Sequence, residues 1–218
     1  FAYPPLGFYI AASLSDLLPV SELATLLWLP ALVNTLSILV FYKLAEQILP
    51  SRMSAALAVL IYALSPRAFL WQVMGGGITR AFGMLFLLLM LWQATKMLKP
   101  PFSAAGTAPR ADGKNLALTI LFGAGSVLSH PQTALHAVLG GALIFMFYGW
   151  NKRGIISALS IALGVALLTS PWWGTVLSRY GIQPFISAGQ TSQRTLESYL
   201  ALLRFDGLGD TLFLLTIL

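Results

Sequence analysis

The chain has 218 residues, 57% of them hydrophobic and only 9% charged, with mean hydropathy +0.80. A soluble domain carries roughly 25% charged residues, so the composition excludes an ordinary soluble enzyme and defines an integral membrane protein. The net charge of +6 fits the basic excess of cytoplasmic membrane loops better than nucleic-acid binding, and the absence of cysteine excludes disulfide frameworks and thiolate metal sites.

Tyr3-Pro4-Pro5-Leu6-Gly7 opens the chain, and its two prolines fix an extended lead-in. Residues 7–18 are apolar but too short to span, and read as a short interfacial or re-entrant helix closed by Asp16 and Pro19. The apolar runs predict an all-α, polytopic transmembrane helical bundle, one domain over 1–218, with spans at about 24–44, 53–73, 78–98, 115–129, 132–150 and 155–170. A further span begins at 211–218. The sequence starts at Phe1 without a methionine and stops inside an apolar run, so it reads as a piece of a longer protein. Ser65-Pro66-Arg67 is expected to break or kink the 53–73 run near its far end. His130-Pro131 separates two helices because the residue before a proline resists helix. Pro171-Trp172-Trp173 is expected to end the 155–170 span. Residues 99–114, rich in proline, glycine and small residues, form a loop. Residues 171–210 are mixed and polar, and read as a second loop holding one amphipathic helix near 196–203.

Orientation follows from the cations. Lys43, Arg52, Lys96, Lys99, Arg110, Lys114, Lys152 and Arg153 fall on one side, which is therefore cytoplasmic. Arg67, Arg80, Arg179, Arg194 and Arg204 fall on the other. Loop 99–114 is then cytoplasmic and loop 171–210 lies on the outer face. Every lysine is inside, and every outer cation is an arginine.

The chemistry-bearing residues gather on that outer face. Met74-Gly75-Gly76-Gly77-Ile78-Thr79-Arg80 places bare backbone and then a full charge at the mouth of a hydrophobic span. A charge there faces a polar cavity or a partner, or else snorkels to lipid headgroups. Arginine binds phosphate oxygens at two points and keeps its charge, which makes Arg80, with Arg67 or Arg179, the candidate phosphate ligand. His130 is a candidate for proton relay or for a hydrogen bond to phosphate, and equally for a helix cap. His136, six residues on, lies well round the helix and is not paired with it as a metal ligand. Trp172 and Trp173 line a sugar or lipid path, or simply anchor the interface. Asp16 and Asp206 are weak candidates for a base. No HExxH, P-loop, dinucleotide fingerprint or GxSxG elbow occurs, so no metal ligands are assigned.

Tyr3-Pro4-Pro5-Leu6-Gly7 resembles the (Y/H)PPL element that follows the first outer loop of GT-C-type membrane glycosyltransferases, among them protein mannosyltransferases and aminoarabinose transferases. The Gly75–Arg80 stretch heading one span and Ser129-His130-Pro131 opening another look similar to elements of bacterial and archaeal members. The resemblance implies transfer of a sugar from a polyprenyl-phosphate donor on the outer membrane face, in some such enzymes with a divalent cation. It implies a donor path lined by Tyr3, Pro4, Pro5, Gly76, Gly77, His130, Trp172 and Trp173. The family's acidic residue lies upstream of the PPL element and has no counterpart at any position of this sequence. A transporter or lipid flippase and a non-catalytic scaffold are the rival readings. The first calls for charges deep within spans or for broken helices repeated in two halves; no such repeat is visible, and the polar groups cluster at one face.

Overall fold

A computed structural model of the chain describes residues 2–73, 77–99 and 113–190. These form only helices: α1 (Leu6–Leu17), α2 (Glu22–Ile48), α3 (Arg52–Ala63), α4 (Pro66–Val73), α5 (Ile78–Leu98), α6 (Gly113–Ser129), α7 (Pro131–Tyr148), α8 (Lys152–Tyr180) and α9 (Gln183–Gln190). Four of them, α2, α5, α7 and α8, are long and apolar enough to cross a membrane. The bundle is organised about α5. That helix packs on α2, on α6 and on α7, and its first turns form a core with Ala11 of α1 and Val33 of α2.

Side chains are distributed as a hydrocarbon surrounding selects. Leu26, Trp28, Leu39, Phe147 and Leu163 project outward, while Ser37, Thr95, Thr119, Ser126 and Ser129 are completely buried. Small polar residues let helices approach closely, and their hydroxyls bond to backbone carbonyls rather than to water. Ser37 donates to the Val33 carbonyl, Thr119 to that of Asn115, and Ser126 crosses from α6 to the Gly83 carbonyl of α5 at 3.2 Å.

One predicted run breaks where the sequence leads us to expect, and another continues past its expected end. The run 53–73 is two pieces, α3 of 12 residues and α4 of 8, because Pro66 starts a new helix and Leu64 and Ser65 make the break. Neither piece reaches the roughly 20 residues that a hydrocarbon core requires. The run 155–170 does not stop at Pro171, and residues 171–180 are helix rather than loop. Proline removes one N–H, which deprives the Leu167 carbonyl of its usual partner. The Ser170 hydroxyl supplies a replacement at 2.8 Å, and Thr175 donates to the Pro171 carbonyl at 2.6 Å. With the freed acceptor satisfied locally, α8 continues to Tyr180 and ends at Gly181, whose φ of 66° suits glycine. The expected helix near 196–203 and the span beginning at 211 lie outside the described residues.

Candidate functional site

Arg80 sits in the first turn of α5, whose start is capped by Gly77 without any side-chain hydrogen bond. A Cβ at Gly77 would overlap the backbone carbonyl of Gln72 in α4, so only glycine lets the two helices meet this closely. The closeness brings the last turn of α4 to Arg80. Its Nη1 donates to the Trp71 carbonyl at 3.3 Å, and its guanidinium lies 5.6 Å from the Trp71 ring centre. A cation in the first turn of a helix opposes the helix dipole. The exposed carbonyl end of α4 offsets part of that cost.

His130 caps α7. Its Nδ1 accepts from the Gln132 backbone N–H at 3.1 Å, a bond that α7 needs because Pro131 offers no donor and the next N–H lacks a partner within the helix. On the opposite edge of the ring, Nε2 faces Arg80 Nε at 3.1 Å. His130 is only 7% exposed. Burial first, then the Arg80 charge, then the weaker influence of His136 push its pKa down from 6.5 to about 4. The imidazole, in the break between α6 and α7, is therefore neutral at pH 7. In the folded protein the proton is disfavoured, so the unfolded chain takes it up first as pH falls. His130 thus costs nothing above pH 6.5 and subtracts stability as pH drops from 6.5 towards 4. The expected 15N NMR titration midpoint of His130 is near 4. A midpoint at or above 6.5 would contradict the buried placement facing Arg80.

Tyr3 completes the cluster. Its hydroxyl is 3.2 Å from Thr79 Oγ1, and its ring meets the His130 imidazole edge-on, centres 6.0 Å apart. Pro4 is fully buried and Pro5 caps α1. Gly7 rests on Thr79, where an added Cβ would lie 3.0 Å from the Thr79 Cα. Gly83, one turn below Arg80, receives the first turn of α7: a Cβ there would overlap the Thr133 hydroxyl and lie 3.2 Å from the His130 Cβ. Trp71, Gly83 and Thr133 escape sequence reasoning. Gly83 and Thr133 offer no signal beyond small size or a hydroxyl beside the motifs that do stand out, and Trp71 none beyond its aromatic ring.

The starts of α1, α5 and α7 therefore converge on one place, and none has an acidic residue in its first turn. Helix starts carry partial positive charge, and Arg80 adds a full one. The lone ion pair among the described residues is Lys43–Glu46, far along the chain from Arg80. Such an arrangement favours an anion over a cation.

The other candidates stand elsewhere or lie outside the described residues. Asp16 is exposed nine residues beyond Gly7, roughly 14 Å further along α1. Arg179 is exposed in the last turn of α8. Arg67 falls in α4, but its side chain lies outside the described residues, as do Gly76 and Asp206 entirely. Trp172 packs edge-on against Phe185 of α9 at 5.9 Å. Trp173 donates from Nε1 to the Ala166 carbonyl at 3.0 Å and borders an apolar cleft of about 580 Å3 walled by α5, α6, α7 and α8. Neither tryptophan belongs to the Arg80 cluster. The cleft reaches Ala134, one turn from His130, but its lining includes none of Arg80, His130 and Tyr3. Among the described residues there is no cluster of three His, Asp or Glu side chains that could hold a metal ion.

These features define the class: a polytopic helical membrane protein with a polar, positively charged site at one end of its bundle. Comparison of the chain with known protein families, with curated proteins and with solved structures gives no match.

Proposed function

We propose that the chain is the donor-binding part of a GT-C-type membrane glycosyltransferase, which moves a sugar from a polyprenyl-phosphate donor to an acceptor on the outer face. The observation that carries this reading is the meeting of Tyr3, Arg80 and His130. They come from the three separate stretches on which the resemblance rests, and they meet where three helix starts favour an anion. Arg80 holds the donor phosphate. Transfer breaks the bond between the sugar's anomeric carbon and the phosphate oxygen, which leaves with the electron pair. Arg80 stabilises the charge that develops there. The acceptor oxygen forms the new bond and gives its proton to a carboxylate base, a role that the exposed Asp16 is poorly placed to fill. Trp173 and the apolar cleft beside α7 offer the prenyl chain a path of matching chemistry.

The test is the full-length protein in proteoliposomes, supplied with labelled polyprenyl-phosphate sugars. The expected result is release of polyprenyl phosphate with label passing to acceptor. Movement of the intact lipid across the bilayer without cleavage would replace the enzyme by a flippase. Topology gives an independent check, since the chain has no cysteine. In intact cells, an impermeant reagent should label Ser187→Cys and spare Ala105→Cys. The reverse pattern would put the Arg80 site on the cytoplasmic side and overturn the outer-face reading.

A further inference from the structure

The His130 ring has a hydrogen-bonding conflict. The Gln132 backbone N–H points at Nδ1 and the Arg80 Nε–H points at Nε2, each at 3.1 Å. A neutral imidazole carries a proton on one nitrogen and accepts at the other alone. Burial keeps the ring neutral, so one of the two contacts sets N–H against N–H.

The two donors are not equally free to give way. The Gln132 N–H is fixed in the first turn of α7, and losing the cap would leave that helix-start donor without its partner. Arg80 is a long side chain, half-buried, with the Trp71 carbonyl as another acceptor. The helix therefore takes the Nδ1 lone pair, and the ring proton belongs on Nε2. Arg80 and His130 are then two donors directed at the same space. A third group able to accept from both resolves the conflict.

We infer that His130 is a direct ligand of the site's anion, held by the α7 cap in the Nε2–H tautomer so that it and Arg80 donate together to one oxyanion. This rests on the anion reading of the site given above, and it assigns the histidine a second function beyond capping. The cap sets the tautomer, and the tautomer makes the ring a donor. Neutral donation suits a phosphate ester whose charge Arg80 already meets, because it adds a hydrogen bond without a second buried cation.

Two measurements decide it. The first is 15N NMR of histidine- and arginine-labelled protein in lipid bilayers, where protonated and bare imidazole nitrogens give separate signals. The expected result is a bare Nδ1 and a protonated Nε2, with the Nε2–H and Arg80 Nε–H signals moving together when inorganic phosphate is added. A proton on Nδ1, or a phosphate response that leaves Nε2–H unmoved, overturns the inference. The second compares His130→Asn with His130→Ala. Asparagine is among the best N-caps and preserves the start of α7, but it is too short to place a donor beside Arg80. His130→Asn is expected to fold normally and to bind phosphate roughly tenfold more weakly. Wild-type binding by His130→Asn would show that capping is the whole role of His130. The outcomes separate from those of the transferase reading. Phosphate bound through both residues without any glycosyl transfer removes the enzyme and leaves the site. Transfer by a protein whose His130 proton is on Nδ1 removes the inference and leaves the enzyme.

Discussion

Gly77→Ala should unseat the junction of α4 and α5 and take Arg80 with it. The backbone at Gly77, φ −62° and ψ 2°, is open to any residue, so conformation is not what demands glycine there. Space is. The new Cβ would overlap the Gln72 carbonyl and approach its Cα to 2.8 Å. A flexible side chain swings aside from such an intrusion, but a backbone carbonyl takes its helix with it. Overpacking of this kind costs about 1–3 kcal/mol, and more where backbone must move. The displaced element carries Trp71, whose carbonyl and ring both hold Arg80, so the anion site should fail along with the packing. Thermal unfolding in detergent measures the first effect and phosphate titration the second. Gly174→Ala is the control, since a Cβ there meets nothing within 4 Å and the position is helical. It should be neutral or stabilise by up to about 1 kcal/mol. Equal behaviour of the two variants would mean that the α4–α5 contact is not as close as described.

How much of this was readable in advance depended on whether the signal was local. The apolar runs mark helices because backbone polar groups in hydrocarbon must be satisfied within the segment, and the described residues are helical throughout their regular structure. His130-Pro131 is a local signal as well: proline fixes the start of α7 and histidine caps it. Pro171 misleads for the same reason. Proline usually stops a helix, and nothing in the pattern announces that the Ser170 hydroxyl will occupy the Leu167 carbonyl that Pro171 leaves free. The site itself is non-local. Arg80 and His130 stand 50 residues apart, and their meeting depends on Gly83 admitting the first turn of α7, a contact with no trace in hydropathy. Trp172 and Trp173 show the opposite case. They stand out in the sequence beside a proline, yet α8 carries them onward to Phe185 and to the apolar cleft.

Arg80→Lys separates the two meanings that a cation at a helix mouth can have. The guanidinium is used as a shaped object: Nε faces His130, Nη1 reaches the Trp71 carbonyl, and the flat group lies by the Trp71 ring. Its remaining hydrogens are available to a phosphate in the fork geometry that a carboxylate or phosphate matches. Lysine keeps the charge but concentrates it at one atom, and it cannot meet His130, Trp71 and a ligand from a rigid plane. Each charge-assisted hydrogen bond lost is worth about 1.5–3 kcal/mol, which corresponds to roughly tenfold to hundredfold in rate or affinity. Arg80→Lys should therefore lower kcat/KM for lipid-phosphate donor by about that factor, and Arg80→Ala by at least as much. Both should still insert, because the rest of α5 is apolar enough without the charge. If Arg80 merely reached for lipid headgroups, lysine would serve as well, since its stem is as long and its ammonium reaches the same depth. The assay is donor turnover by full-length protein at equal expression. Wild-type turnover in Arg80→Lys would reduce Arg80 to an interfacial anchor, and wild-type turnover in Arg80→Ala would remove it from donor binding altogether.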